Sequence, residues 1–288
     1  MSSYCRELHR EGADEYDLIF FYTIVVTLCW GVATVRIIDS HTHTYLRGPE
    51  DLDLMAVAGI EGAVVCSYLP VQPSGASTLK DLFNWQIGVE SMRLSSYHID
   101  CRVAVGIHPR SIPTNEIELV YDRLIAIFDN ETATAMGEIG LEVGSKEEID
   151  VFVQQLRIAK DYARPIIVHT PKNNKAAVFE KALAILKEED VDGSKVIIDH
   201  LTPDLVPRAR EFGALAGLTI RPGGASPGDV EAIISKCGPE GVVLGSDIGD
   251  SPSDPLALPR TVRQLMRSLS ARDVELIVYS NIRALMWF

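Results

Sequence analysis

The chain alternates short apolar runs with segments of helical periodicity, and this alternation limits the available folds more than any other feature. Eight runs resemble buried strands: 35–38, 63–67, 102–107, 134–138, 165–169, 195–199, 214–220 and 241–246. Apolar residues recur with helical spacing at 79–97, 116–128, 146–162, 175–187, 204–212, 228–236, 255–268 and 271–286. The pattern predicts a (β/α)8 TIM barrel, with a doubly wound parallel sheet as the competing fold.

Residues 1–35 differ from the rest of the chain, and we predict that they form an N-terminal extension to one barrel domain at residues 36–288. Residues 18–35 carry no charge, and the length of this segment is close to the ~20 apolar residues of a membrane span. Three interpretations are open: a spurious or dispensable extension with Val32 or Val35 as the true start, a membrane anchor on a cytoplasmic barrel, or a packed helix. We prefer the first, and expect a chain that begins at Val35 to fold and keep its site.

The charge of the chain restricts its partners. A formal net charge of -13 argues against an extended nucleic-acid surface, which requires a basic face, but leaves room for a small basic pocket. The five cysteines are scattered and odd in number, so a disulfide framework is not expected. The cysteines indicate a reducing, cytoplasmic compartment, and the charge leaves small molecules and small phosphoesters open as substrates.

Polar side chains end several of the predicted strands. His41 and His43 follow the first strand, and they point the same way because side chains alternate along a strand. Other strands end in Glu138, His169, Asp199-His200 and Ser246-Asp247. In a barrel these ends meet at one face, and imidazoles with carboxylates are the ligands of zinc-like divalent ions. Each residue alone has an ordinary structural explanation, but together they predict a metal site.

The order of these motifs resembles that of the TatD-type metal-dependent hydrolases of the amidohydrolase superfamily. The resemblance covers residues 36–288 and rests on GIHP at 106–109, GEIGLE at 137–142 and the segment 152–171. Residues 253–260 are more similar to a poorly characterised TatD-related subgroup than to the TatD nucleases. Many TatD proteins carry aspartate where this chain has Glu142.

The resemblance implies a hydrolase with one or two divalent ions, which would be zinc, manganese or magnesium. Its ligands would be His41, His43, Glu138, His169, His200 and Asp247. Two of these would be catalytic: Glu138 would bridge or anchor the ions, and Asp247 would orient the attacking water and take its proton. Basic residues near strand ends are candidates for substrate binding: Arg110, Lys172, Lys175 and Arg221. A solvated loop or helix face is the alternative for Lys172 and Lys175.

Three functions follow from different classes. The preferred one is hydrolysis of a phosphoester, which includes deoxyribonuclease-like cleavage at a nucleic-acid end. The second is hydrolysis of a small-molecule amide or lactone by the same centre. The third is a non-catalytic barrel that acts at a membrane through residues 18–35. Because all six ligand positions are filled, the sequence argues against the third. It predicts no oligomeric state.

Overall fold

Eight parallel strands pair in chain order within residues 36–288. The computed structural model describes residues 35–251 and 253–288. The strands are β1 (Ile37–Thr42), β2 (Ile60–Cys66), β3 (Asp100–Val105), β4 (Ala135–Gly140), β5 (Ile166–His169), β6 (Val196–Ile198), β7 (Leu215–Thr219) and β8 (Val242–Gly245). This sequential order confirms the predicted (β/α)8 barrel, because a doubly wound sheet places its strands out of chain order.

The predicted N-terminal extension lies outside the described residues, apart from Val35 at its end. Within residues 35–251 and 253–288, the structure has no helix of the length and apolar character that a membrane crossing requires. The division at residue 35 and the three interpretations of the preceding segment therefore stay predictions.

Helices alternate with the strands. They are α1 (Pro49–Val57), α2 (Ala76–Asn84), α3 (Ser91–Ser96), α4 (Ile117–Asp129), α5 (Lys146–Asp161), α6 (Lys175–Glu188), α7 (Val206–Glu211), α8 (Pro227–Cys237), α9 (Ala257–Leu265), α10 (Ala271–Glu275) and α11 (Asn281–Met286). Helix α1 was not predicted from the sequence, although Pro49 at its first turn and the acids that follow are typical of a helix start.

Two predicted helices contain a wider turn. The helix predicted at 79–97 consists of α2 and α3 joined by a π-helical stretch at Trp85–Glu90. The helix predicted at 271–286 consists of α10 and α11 joined by a similar stretch at Leu276–Ser280. Hydrophobic periodicity does not distinguish one π-helical turn from the surrounding α-helix, so these interruptions were not predicted.

Apolar side chains fill the barrel interior. One buried cluster contains Ile38, Val64, Cys66, Ala104, Ala135, Ile167, Ile197 and Val243 from seven strands, together with Ile282 and Met286 of α11. Burial of this surface, worth roughly 25 cal/mol per Å², ties the strands to one another. The polar strand ends are therefore carried by a well-packed scaffold.

The barrel closes between β1 and β8 at the carboxyl ends of both strands. The backbone N–H of Asp247 donates to the carbonyl of His41 at 2.9 Å, and that of His43 donates to Ile248 at 2.7 Å. Thr42 and Ile248 also form a parallel bridge. Predicted site residues of the first and last strands are thus placed side by side by the backbone itself.

Candidate metal centre

The six predicted ligands lie together at the carboxyl ends of the strands. His41 lies within β1, where the strand runs on to Thr42 and so extends past the predicted 35–38. Glu138 lies within β4 and His169 ends β5. His43, His200 and Asp247 follow closely after β1, β6 and β8. All six are buried except His200, which is partly exposed.

Glu138 is at the centre of this group. Its Oε1 lies 2.7 Å from His169 Nδ1 and 2.9 Å from His200 Nε2. Its Oε2 lies 3.3 Å from His41 Nε2 and 3.7 Å from His43 Nε2. Burial by itself would raise the pKa of Glu138, but the surrounding histidines hold it well below the usual range. One carboxylate is thus shared by two pairs of imidazoles.

Asp247 lies beside the pair formed by His41 and His43. Its Oδ1 lies 3.2 Å from His43 Nε2 and 3.8 Å from His41 Nε2, and its Oδ2 forms an ion pair with Arg221. Asp247 has a left-handed backbone conformation, with φ near 50°. Aspartate and asparagine tolerate this conformation better than most residues.

The site thus has two halves that share Glu138. We call His41, His43, Asp247 and Glu138 Oε2 the first half, and His169, His200 and Glu138 Oε1 the second half. His41 Nε2 and His43 Nε2 are only 3.2 Å apart, so two lone pairs would face each other unless a cation or a proton lies between them.

Each of the four histidines uses its other ring nitrogen for an outer contact. These contacts are His41 Nδ1 with Asp199 (2.6 Å), His43 Nδ1 with the Cys66 carbonyl (2.8 Å), His169 Nε2 with Glu142 (2.9 Å) and His200 Nδ1 with the Thr219 hydroxyl (2.6 Å). Carboxylate and carbonyl oxygens only accept hydrogen bonds, so the outward nitrogens of His41, His43 and His169 carry the hydrogen. In their neutral form these three histidines have the lone pair on the inward nitrogen, where a metal ligand needs it.

The residues therefore fit a divalent ion. Four imidazoles and two carboxylates are a donor set that suits zinc and related ions. Outer acceptors behind ligating histidines are typical of protein metal sites, because they fix the tautomer and the ring orientation. The donor set can serve one ion or two, since Glu138 presents one oxygen to each half.

The family model described as TatD related DNase matches residues 38–286. The chain belongs to the TatD family. This confirms the resemblance drawn from the sequence motifs, and the protein is a metal-dependent hydrolase of that family.

Individual relatives agree with this assignment. The chain is 36% identical over 249 residues to an uncharacterised metal-dependent hydrolase of Methanocaldococcus jannaschii, which covers 85% of this chain and 97% of the relative. The solved TatD-like protein of Archaeoglobus fulgidus superimposes with a TM-score of 0.74 at 29% identity, and the match covers 87% of this chain and 100% of that one. A phosphotriesterase homology protein of Escherichia coli, solved with phosphate in its active site, has a TM-score of 0.68 at 16% identity over 88% and 100% of the chains, which shows a shared fold.

His108 belongs to this TatD site and was not predicted from the sequence, although it lies in the 106–109 motif. Its Nδ1 accepts the backbone N–H of Arg110 at 3.0 Å, so its Nε2 carries the hydrogen. That Nε2 is buried 3.7 Å from Glu138 Oε2 and has no hydrogen-bond partner among the residues that the structure describes. Burial also lowers the pKa of His108 well below its usual value. His108 thus directs a neutral N–H donor, not a lone pair, into the site.

A cavity of about 270 Å³ opens over the two halves of the site. Its lining includes Glu138, Asp247 and the four basic residues predicted to bind substrate, which are Arg110, Lys172, Lys175 and Arg221. Arg110 and Lys172 are exposed at the mouth, and Arg221 is partly buried against Asp247.

Lys175 differs from the other three basic residues. Its Nζ donates to the Thr170 carbonyl (3.3 Å), the Thr170 hydroxyl (3.1 Å) and the His200 carbonyl (2.6 Å). An ammonium has three donors, so all of them are used by the protein. Burial also lowers the pKa of Lys175 to about 8. The structure therefore places Lys175 as a link between the ends of β5 and β6, which the sequence did not indicate.

Proposed function

We propose that this TatD protein hydrolyses phosphoester bonds. The observation that carries the proposal is the presence of three cations in the cavity wall. Arg110, Lys172 and Arg221 come from three different loops and face the same space as Glu138. A phosphoryl group carries negative oxygens that guanidinium and ammonium groups bind well. An amide or a lactone is uncharged and would gain little from three cations.

The size of the cavity favours a small substrate or the end of a longer one. A space of about 270 Å³ holds a small molecule, and the net charge of -13 is unsuited to a long polyanion. Deoxyribonuclease-like removal of nucleotides from a strand end fits these limits, as does cleavage of a small phosphoester.

The residues of the site divide the chemical work. A bound divalent ion supplies Lewis acidity and lowers the pKa of water to about 7. Glu138, Asp247 and the four histidines would hold the ions, and Asp247 would also orient the attacking water and accept its proton. The Nε2–H of His108 donates to the oxygen on which negative charge develops, and Arg110 and Lys172 bind the remaining anionic oxygens.

A substrate panel tests this proposal. The full-length protein, loaded in turn with zinc, manganese and magnesium, is assayed against a phosphomonoester, a phosphodiester, a lactone and an amide. We expect metal-dependent turnover of a phosphoester. Turnover confined to the lactone or the amide would contradict the proposal and favour the second function.

A charge variant refines that assay. Lys172→Ala removes an exposed cation of the cavity mouth, so the KM for the phosphoester should rise while kcat changes less. Lys236→Ala makes the same change on the exposed face of α8, away from the cavity, and serves as the matched control.

His108→Asn tests whether His108 acts as a hydrogen-bond donor or as a metal ligand. The asparagine oxygen can replace Nδ1 as acceptor of the Arg110 N–H, while the Nε2–H is lost. We expect the metal content to be unchanged and kcat to fall by roughly 10²–10³-fold, as for removal of one oxyanion donor. Elemental analysis and turnover are measured on the same sample. Loss of metal in this variant would show that His108 is a ligand instead.

A further inference from the structure

We infer that Glu142 is a positioning residue that determines how tightly the second half of the site holds its ion, and that the two halves bind ions unequally. The inference rests on the proposed function, since it requires the metal centre. It goes further by assigning a role to a residue outside the predicted ligand set.

The contact between Glu142 and His169 gives the first argument. Glu142 Oε2 lies 2.9 Å from His169 Nε2, and a carboxylate can only accept that hydrogen. A neutral His169 with its hydrogen on Nε2 has its lone pair on Nδ1, the atom that would bind an ion of the second half. Nδ1 lies 2.7 Å from Glu138 Oε1, a spacing that requires a cation or a proton between the two atoms. A negative outer partner also makes the imidazole a better electron donor. Removal of the Glu142 charge should therefore weaken His169 as a ligand.

The loop that carries Glu142 is built to hold it in place. The buried carboxylate of Glu148, in the first turn of α5, accepts the backbone N–H groups of Glu142 (2.9 Å), Val143 (3.0 Å) and Gly144 (2.7 Å). On its other side, Glu142 Oε2 lies 3.6 Å from Arg110 Nε. Three hydrogen bonds to one carboxylate fix the backbone at the point where the Glu142 side chain leaves it. The Glu142–His169 contact is thus a feature of a rigid loop.

The two halves differ in the charge that supports them. In the first half, Asp247 and Glu138 both face the histidines, and Asp199 behind His41 has a side chain that is 0% exposed. In the second half Glu138 is the sole carboxylate among the predicted ligands. The carboxylate behind His169 is that of Glu142, whose side chain is 26% exposed.

Solvent and salt screen a partly exposed charge more than a buried one. The first half should therefore bind its ion more tightly, and the second half should depend on Glu142. This dependence can be measured without any substrate.

Titration of the full-length protein with Zn²⁺ alone tests the inference. After removal of bound metal by a chelator, calorimetry with a competing chelator should resolve a tight step and a weaker step in the wild type. Glu142→Gln should lower the affinity of the weaker step by roughly 10–100-fold, the usual cost of losing an outer partner, and leave the tight step unchanged. Glu147→Gln is the matched control, because it makes the same change on an exposed side chain in the first turn of α5. We expect both steps to be unchanged in this variant.

Asp199→Asn gives the converse test, because Asp199 supports His41 of the first half. In a sample that circular dichroism shows to be folded, it should weaken the tight step. Glu142→Gln is the deciding variant, because its side chain is partly exposed and its replacement disturbs the fold less than that of the buried Asp199. Two unaltered steps in that variant, or a loss confined to the tight step, would overturn the inference. A wild type that binds none of zinc, manganese and magnesium in the same titration would instead overturn the proposed function.

Discussion

Glu138→Gln should prevent the protein from holding either ion and should abolish metal-dependent turnover. Both oxygens of Glu138 are engaged, Oε1 with His169 and His200 and Oε2 with the histidines of β1. An amide has one acceptor oxygen and no charge, so neither half keeps its shared carboxylate. We expect a loss of affinity larger than the roughly 100-fold cost of removing an outer partner. Elemental analysis of the purified variant measures it.

A buried carboxylate elsewhere in the barrel provides the control. Glu90 is fully buried, but it pairs with Arg93 and accepts the Thr44 hydroxyl at 2.6 Å. Glu90→Gln should therefore lower the melting temperature without changing the metal content of the folded protein. If Glu138→Gln retained wild-type metal content while Glu90→Gln lost metal, the central position of Glu138 would be wrong.

The fold was predictable because its signals are local. Each strand is a short apolar run, and each helix has its own periodicity, so the (β/α)8 barrel follows from the order of the elements. The site was predictable for a related reason. A barrel brings the carboxyl ends of its strands to one face, so residues as distant as His43 and Asp247 meet without any knowledge of side-chain conformation.

The features that were missed depend on side-chain and loop geometry. His108 stands in a quoted motif, yet its direction follows from one hydrogen bond between its Nδ1 and the backbone of Arg110. The role of Glu142 follows from a loop fixed by Glu148. Lys175 has the sequence context of a substrate-binding cation, but its ammonium is used by backbone carbonyls and a hydroxyl. No spacing rule distinguishes these orientations from their alternatives.

The family assignment adds a constraint that the residues alone did not provide. Apolar strands with polar ends would suit several kinds of metal-dependent enzyme, whereas the match over residues 38–286 assigns the centre to a hydrolase of the TatD family. The preference for a phosphoester is a separate proposal, and Arg110, Lys172 and Arg221 in the cavity wall support it.

Asp247→Asn should lower turnover far more than metal content. Asparagine keeps the size of the side chain, one coordinating oxygen and tolerance of the left-handed backbone at this position, so His41 and His43 keep their neighbour. It cannot accept the proton of the attacking water, and loss of a general base typically costs ~10²–10⁴-fold in rate.

The measurement compares kcat on the substrate found by the panel with metal content in the same sample. Asp254→Asn is the matched control, because it changes the same residue type in the segment that follows, where Asp254 pairs with the exposed Arg260. Asp247→Asn with wild-type turnover would assign the base elsewhere. Complete loss of metal would show that Asp247 acts first as a ligand. Retained metal with turnover reduced by the expected factor would leave Asp247 as the group that takes the proton, because the retained metal would show that the ligand set beside His41 and His43 had survived the change.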